Sequence, residues 1–336
     1  DFFKGVFENN IDWSTIDREF IQREVEKLTA KMAEKSNFIL ESSPKYKYFS
    51  TITHKNIVES IEIMAEQVRR GNFVPTGFET EFGDKSIKPI TYTLKNGKEI
   101  KLAGKIDRID VFKGENFDFL RIIDYKSSKR DIDLNQVYAG LQLQLFVYMN
   151  AILSSNKERY KPAGLFYSDF TTNFVGFETY SKMLDMNDES YHSAKLKKNK
   201  LTGFVIKDME LLKNLDRTLD ADNLTSEILP IKLKSKGQEI GASTLGLTTD
   251  EFEIVNEFVL NKTKDICEEI YAGNIDIKPF RYKNKKPCDY CKYKSICRFD
   301  IKHNKYNNIK NLLTKDKPNE VFEKMNSENK EKRGEK

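Results

Sequence analysis

Apolar residues recur at helical spacing through the opening 1–75 segment. Ile21, Val25, Leu28 and Met32 mark one stripe, and Ile57, Ile61, Met64 and Val68 a second, which Gly71 is placed to stop. From 78 to 128 the period shortens to two. It predicts strands at 78–82, 90–94, 100–111 and 119–125, separated by Asn96-Gly97 and Lys113-Gly114-Glu115-Asn116. Leu134, Val137, Leu141, Leu145, Tyr148 and Ile152 then form one stripe, predicting a single helix with Asp133 as its N-cap. A strand at 164–170 follows. Residues 185–245 give only short strands, at 203–206 and 229–233. Thr248 and Glu251 have capping-box spacing and open a long helix carrying Phe252, Val255, Val259, Ile266 and Ile270, closed by Gly273. The end, 327–336, is so charged that disorder is expected there.

Helices, a meander, a helix and another strand indicate a mixed α/β (α+β) fold. The expected division is 1–75 helical, 76–180 core, 181–280 a further α/β part, 281–305 a cysteine-rich segment, and 306–336 a C-terminal helix and charged tail. The chain opens on Asp1-Phe2-Phe3 with no initiator Met, as if inside an amphipathic helix, so a longer parent chain is expected.

Composition narrows the class. A hydrophobic content of 38% in 336 residues supports a packed core, and four cysteines are too few for a disulfide scaffold. No apolar run suits a membrane span, so a soluble, cytoplasmic protein without a membrane partner is expected. The net charge of +5 is not spread evenly: residues 281–298 hold seven cations against Asp289 alone.

The chemistry concentrates in Gly104-Lys-Ile-Asp107-Arg-Ile-Asp110 and Ile122-Ile-Asp124-Tyr-Lys126-Ser-Ser. Alternate strand residues share a face, so Asp124 and Lys126 point the same way. Opposed residues of an antiparallel hairpin keep a constant sum of positions. Setting Asp107 against Asp124 puts the tip between Glu115 and Asn116, inside the turn-rich piece, and pairs Asp110 with Arg121. Two adjacent carboxylates repel unless a cation compensates them, and Mg2+ is commonly held by one or two carboxylates. Glu79, on an earlier strand, is a candidate third carboxylate. Against this stands the plainer alternative of surface ion pairs on exposed strands.

Cys288-x2-Cys291-x5-Cys297 has metal-ligand spacing but is one thiolate short of a structural zinc or iron–sulfur centre. Cys267 either supplies the fourth ligand or packs as a small apolar residue on its helix. Around the three cysteines, Arg281, Lys283, Lys285, Lys286, Lys292, Lys294 and Arg298 interleave with Tyr282, Tyr290, Tyr293 and Phe299. That is the composition of a single-strand-binding surface, or else of a solvated basic loop.

Together, the Asp107-Arg-Ile-Asp110 motif, the Asp124-Tyr-Lys126 motif and the helix with Gly140-Leu-Gln-Leu-Gln144 and Tyr148 resemble PD-(D/E)XK nucleases of the RecB type. More closely, they resemble the C-terminal nuclease domains of the AddB family, found in bacterial AddAB helicase–nucleases. The resemblance takes in Phe73-Val-Pro75 leading to Glu79 and the terminal cysteines. It implies a restriction-endonuclease-like core, a central mixed sheet flanked by helices, with helical and iron–sulfur-bearing additions. It implies Mg2+-dependent exonucleolytic hydrolysis of one strand of unwound DNA, in double-strand-break repair by homologous recombination, beside an AddA-type helicase–nuclease partner in a heterodimer. Asp107 and Asp124 would be metal ligands and Lys126 the catalytic lysine. Glu79 and Tyr125 complete the expected ligand set, and Gln144 and Tyr148 would support the site or touch DNA. Cys288, Cys291 and Cys297 would bind a [4Fe–4S] cluster with a cysteine upstream of Asp1, and Lys283, Lys285, Lys286, Lys292, Lys294 and Arg298 would contact DNA. The family's helix-borne His has no match in His54, His192 or His303, and is likewise expected upstream. Two rivals remain: a free-standing RecB-like or Cas4-like exonuclease, and a catalytically silent, metal-stapled DNA-binding module.

Overall fold

A computed structural model of the chain describes residues 1–35, 42–83, 87–156, 158–169, 188–234, 236–312 and 319–335. In chain order the helices are α1 (Phe2–Glu8), α2 (Arg18–Lys35), α3 (Pro44–Arg69), α4 (Leu134–Tyr138) and α5 (Gln144–Leu153). They continue with α6 (Asp188–Lys198), α7 (Met209–Leu215), α8 (Thr249–Tyr271), α9 (Lys294–Cys297) and α10 (Glu320–Arg333). The strands are β1 (Val74–Phe82), β2 (Ile90–Thr93), β3 (Glu99–Leu102), β4 (Gly104–Lys113), β5 (Asp118–Lys126) and β6 (Tyr160–Asp169). Then come β7 (Thr202–Ile206), β8 (Leu233–Lys234), β9 (Glu239–Ile240), β10 (Gly246–Leu247), β11 (Phe280–Arg281) and β12 (Asn307–Asn308).

The chain forms two compact units. The first comprises Asp1–Lys88, Ala103–Asp131 and Ile152–Thr248; the second comprises Pro89–Leu102, Ile132–Ala151 and Thr249–Lys336.

The first unit is built on a six-stranded mixed sheet in the order β1-β4-β5-β6-β7-β10. Antiparallel pairing joins β1 to β4 and β4 to β5, whereas β5 and β6 run parallel. At Gly203 (φ 136°) a Cβ would lie 2.1 Å from the Leu165 carbonyl oxygen, so only glycine lets β6 and β7 approach this closely. The predicted N-terminal helices are present. Ser43 caps α3 by accepting from the Tyr46 amide, and Pro44 fits the first helical position. Their stripes bury Phe2, Phe3, Val6, Ile21, Val25, Ile61, Met64 and Val68 in one cluster, against which Phe78 and Tyr125 of the sheet pack.

The second unit holds the β2–β3 hairpin, α4, most of α5, α8, the cysteine segment and α10. Its central packing is α10 against α8.

Four expectations are corrected. The strand predicted over 100–111 is two strands, β3 and β4, which part at Ala103 and join different sheets. The helix predicted over 134–152 is broken: α4 ends at Tyr138, Gly140 takes φ 81°, and α5 begins at Gln144. Of the strand predicted over 229–233, only Leu233 is in a strand. The tail expected to be disordered supplies the second half of α10, because Val321, Met325 and Asn329 fall on one face and are buried. The strand expected over 164–170 begins at Tyr160, and Phe170 lies outside the described residues.

Candidate active site

The β4–β5 hairpin sets the site. Its register runs from Lys113↔Asp118 at the turn through Asp110↔Arg121 to Arg108↔Ile123, as the constant-sum argument requires. The next position along this register puts Asp107 across from Asp124, on the face that also carries Lys126. Beyond Arg108 the strands are joined by a side chain: the Tyr125 amide donates to Asp107 Oδ2 at 2.9 Å.

Asp124 has a side chain only 3% exposed, with the Lys126 ammonium ion-paired to Oδ2. That oxygen has no aligned hydrogen-bond donor. Burial pushes the Asp124 carboxyl above its ordinary value; Lys126 opposes the shift and Asp107 adds to it. Lys126 Nζ also lies 5.7 Å from the ring centroid of Tyr167, the residue paired with Asp124 on β6. A buried carboxylate that burial and a neighbouring carboxylate both drive toward protonation is stabilised by an added cation. Two oxygen donors of this kind suit a hard divalent ion.

Glu79 does not join them in this arrangement. It has φ 45°, its side chain is 75% exposed, and it is ion-paired with Lys105 at 2.9 Å. Among the described residues no group of three or more His, Cys, Asp or Glu side chains is gathered as a metal site. The carboxylates therefore form a pair. The Tyr125 side chain turns away from this face into the helical cluster, where its hydroxyl lies 3.5 Å from Arg108 Nη1.

The model of the PD-(D/E)XK nuclease superfamily matches residues 11–298, which include the whole hairpin. The chain belongs to this superfamily. It is 36% identical over 333 residues to a protein of Clostridioides difficile named as the B-type subunit of an ATP-dependent helicase/deoxyribonuclease, covering 96% of this chain and 28% of that protein. It is 36% identical over 313 residues to the protein of that name from Caldanaerobacter subterraneus subsp. tengcongensis, covering 91% and 26%. Against one from Clostridium botulinum it is 34% identical over 330 residues, covering 96% and 28%. The chain thus spans between a quarter and a third of the length of these relatives.

In this PD-(D/E)XK chain the other predicted site residues lie in the second unit. Gln144 opens α5 and donates from Nε2 to the Tyr148 hydroxyl at 2.8 Å, one helical turn on. Cys288, Cys291 and Cys297 line one cavity of about 530 Å3, which Arg281, Lys286 and Lys294 also line. Short turns place them: a single 3-10 turn carries Cys288, and α9 ends on Cys297 before Arg298 (φ 49°) reverses the chain. Three thiols on one cavity are a donor set of the right chemistry for a soft metal centre, although not drawn together into a closed site.

Cys267 packs with Tyr92 and Leu94 in an apolar cluster, and burial pushes its thiol up. It takes the packing alternative. Lys283, Lys285, Lys292, Lys294 and Arg298 are exposed and Lys286 is half-buried. Of the interleaved aromatics, Tyr290 and Tyr293 are exposed at 92% and 69%. Tyr282 is buried and donates to Asp133 at 2.7 Å, and the Phe299 ring packs on Tyr306.

Sequence reasoning missed Arg108, which is fully buried and bidentate to Asp110. The signal was available: Arg108 shares a strand face with Asp110, opposite the reactive one.

Proposed function

We propose that this chain is the nuclease part of the B-type subunit of an ATP-dependent helicase/deoxyribonuclease, hydrolysing phosphodiester bonds of unwound single-stranded DNA with Mg2+. The observation that carries this is the pairing of Asp107 with buried Asp124 and Lys126 on one hairpin face, in a chain similar over most of its length to proteins so named. Asp107 and Asp124 would hold the ion. When bound, it polarises a phosphoryl oxygen and lowers the pKa of a water. Asp107 is oriented by the Tyr125 amide. Lys126 keeps its ammonium at the mouth of the pair, where it stabilises charge developing on the phosphate.

Cys288, Cys291 and Cys297 would bind a [4Fe–4S] cluster with a fourth ligand from elsewhere, in a structural role. The exposed lysines with Tyr290 and Tyr293 would hold the strand through phosphate contacts and base stacking. An AddA-type helicase–nuclease is the fitting partner and the cytoplasm the fitting compartment. Among the described residues no helix is long and apolar enough to cross a membrane.

The test is Asp124→Ala in the full-length protein. Mg2+-dependent cleavage of single-stranded DNA is expected to be lost while DNA binding is retained. Cleavage at the wild-type rate would refute the assignment.

A further inference from the structure

Behind the carboxylate face, the hairpin carries a polar cluster that the proposed chemistry does not use. Arg108, Asp110 and Arg121 are each 1% exposed or less. Arg108 Nε and Nη2 donate to the two Asp110 oxygens, both at 2.7 Å, and Arg121 Nε donates to Oδ2 at 2.7 Å. Two cations therefore share one anion, and Arg121 Nη1 and Nη2 have no hydrogen-bond partner. The guanidiniums lie over rings, Arg108 4.8 Å from the Phe3 centroid and Arg121 5.3 Å from that of Phe73.

Such a cluster is a poor source of stability, since apolar side chains of similar volume are often as stable. Its best-attested use is to fix register, and this hairpin needs that. Ile122 and Ile123 are adjacent and both at most 1% exposed, and Ile106 and Ile109 are buried on opposite faces of β4. Apolar alternation therefore does not say which face is which. A slip of one residue would put Asp124 on the face opposite Asp107. The ladder itself stops at Arg108↔Ile123, one position short of the carboxylates.

We propose that the buried Arg108–Asp110–Arg121 cluster is the register lock of the metal-binding hairpin. Arg108 and Arg121 act as positioning residues that hold Asp107 and Asp124 on one face. Asp110 ties β4 to β5 at one register only, and Arg108 carries the constraint to the strand end through Asp110 and the Tyr125 ring. This rests on Asp107 and Asp124 being the divalent-metal ligands.

The test uses the full-length protein with Arg108→Met, Asp110→Leu and Arg121→Met combined. Mn2+ binding is read by electron paramagnetic resonance, with Asp124→Ala as the baseline for the site. The triple variant is expected to unfold cooperatively at no lower temperature than wild type and to keep its KM for single-stranded DNA. Its Mn2+ affinity is expected to fall about 10–100-fold, the usual effect of losing a partner that orients ligands. kcat at limiting metal should fall with it. A folded triple variant with wild-type Mn2+ affinity and cleavage overturns the proposal.

If the triple variant does not fold, single conservative changes decide. Arg121 uses one nitrogen, so Arg121→Lys should stay near wild type, whereas Arg108→Lys loses the two-pronged grip and should weaken Mn2+ binding. Equal effects of the two overturn the lock. Wild-type protein that binds no more Mn2+ than Asp124→Ala would instead refute the ligand assignment itself.

Discussion

The carboxylate hairpin and the cysteine segment are the two metal sites proposed for this chain, and they differ in how far the fold prepares them. The hairpin lies inside a six-stranded sheet, with Ile106, Leu120, Ile122, Ile123 and Asp124 buried and its buried charges ion-paired with one another. Its two proposed ligands, Asp107 and Asp124, are held in place by the strands themselves. The cysteine segment has a single 3-10 turn, a four-residue helix and one two-residue strand pair, with Ile296 and Ile301 left 79% and 66% exposed. Its thiols line an open cavity. A preorganised site uses its metal for chemistry, whereas an open one uses its metal to fold.

The largest expected effect separates the two directly. Removing the metal from the cysteine segment should abolish its order, since structural metal binding is folding free energy, on the order of 10 kcal/mol for zinc. Hydrogen exchange across 281–306 should become fast while 104–126 stays protected. Equal loss of protection in both regions would break the comparison.

Next comes Asp110→Asn, which leaves two buried guanidiniums without their anion. A loss of about 3–5 kcal/mol in urea unfolding is expected. The pH dependence has a definite sign. Burial opposes ionisation of Asp110, but Arg108 and Arg121 outweigh it and hold the carboxyl below its ordinary 3.8. Its contribution is therefore present above that value and lost as pH falls through the lowered pKa. The Asn variant should show a flatter acid limb; a parallel limb would mean that Asp110 is not the group being titrated.

The smallest is Cys267→Ala. Loss of a small buried thiol should cost about 1 kcal/mol and leave the iron content of anaerobically purified protein unchanged. A drop in iron would make Cys267 a ligand after all.

The same contrast explains what was legible in the sequence. The hairpin could be read to the residue because its turn chemistry and the Asp110–Arg121 pair specify one register. The break at Ala103 was hidden because apolar residues keep recurring at strand-like spacing on either side of it, and periodicity does not say which sheet a strand joins. Gly140 sat inside an unbroken leucine stripe, and its φ of 81° is visible only in the backbone. The run of the last helix into the charged tail escaped because one of its three buried residues is Asn329, a polar residue that donates to the Ile254 carbonyl at 3.0 Å. For the carboxylates, sequence predicted the pair and the lysine. Glu79 lies apart from that pair in this structure, its side chain ion-paired with Lys105 on a left-handed backbone.

The central claim is that Asp107 and Asp124 act as one unit on one ion. It is tested most directly by comparing Asp107→Ala, Asp124→Ala and the double variant for Mg2+-dependent cleavage of single-stranded DNA. Each single change should lose nearly all activity, and the double should be no worse than the more damaged single, as groups acting as a unit are grossly non-additive. Full activity of Asp107→Ala, or single losses that multiply in the double, would contradict it.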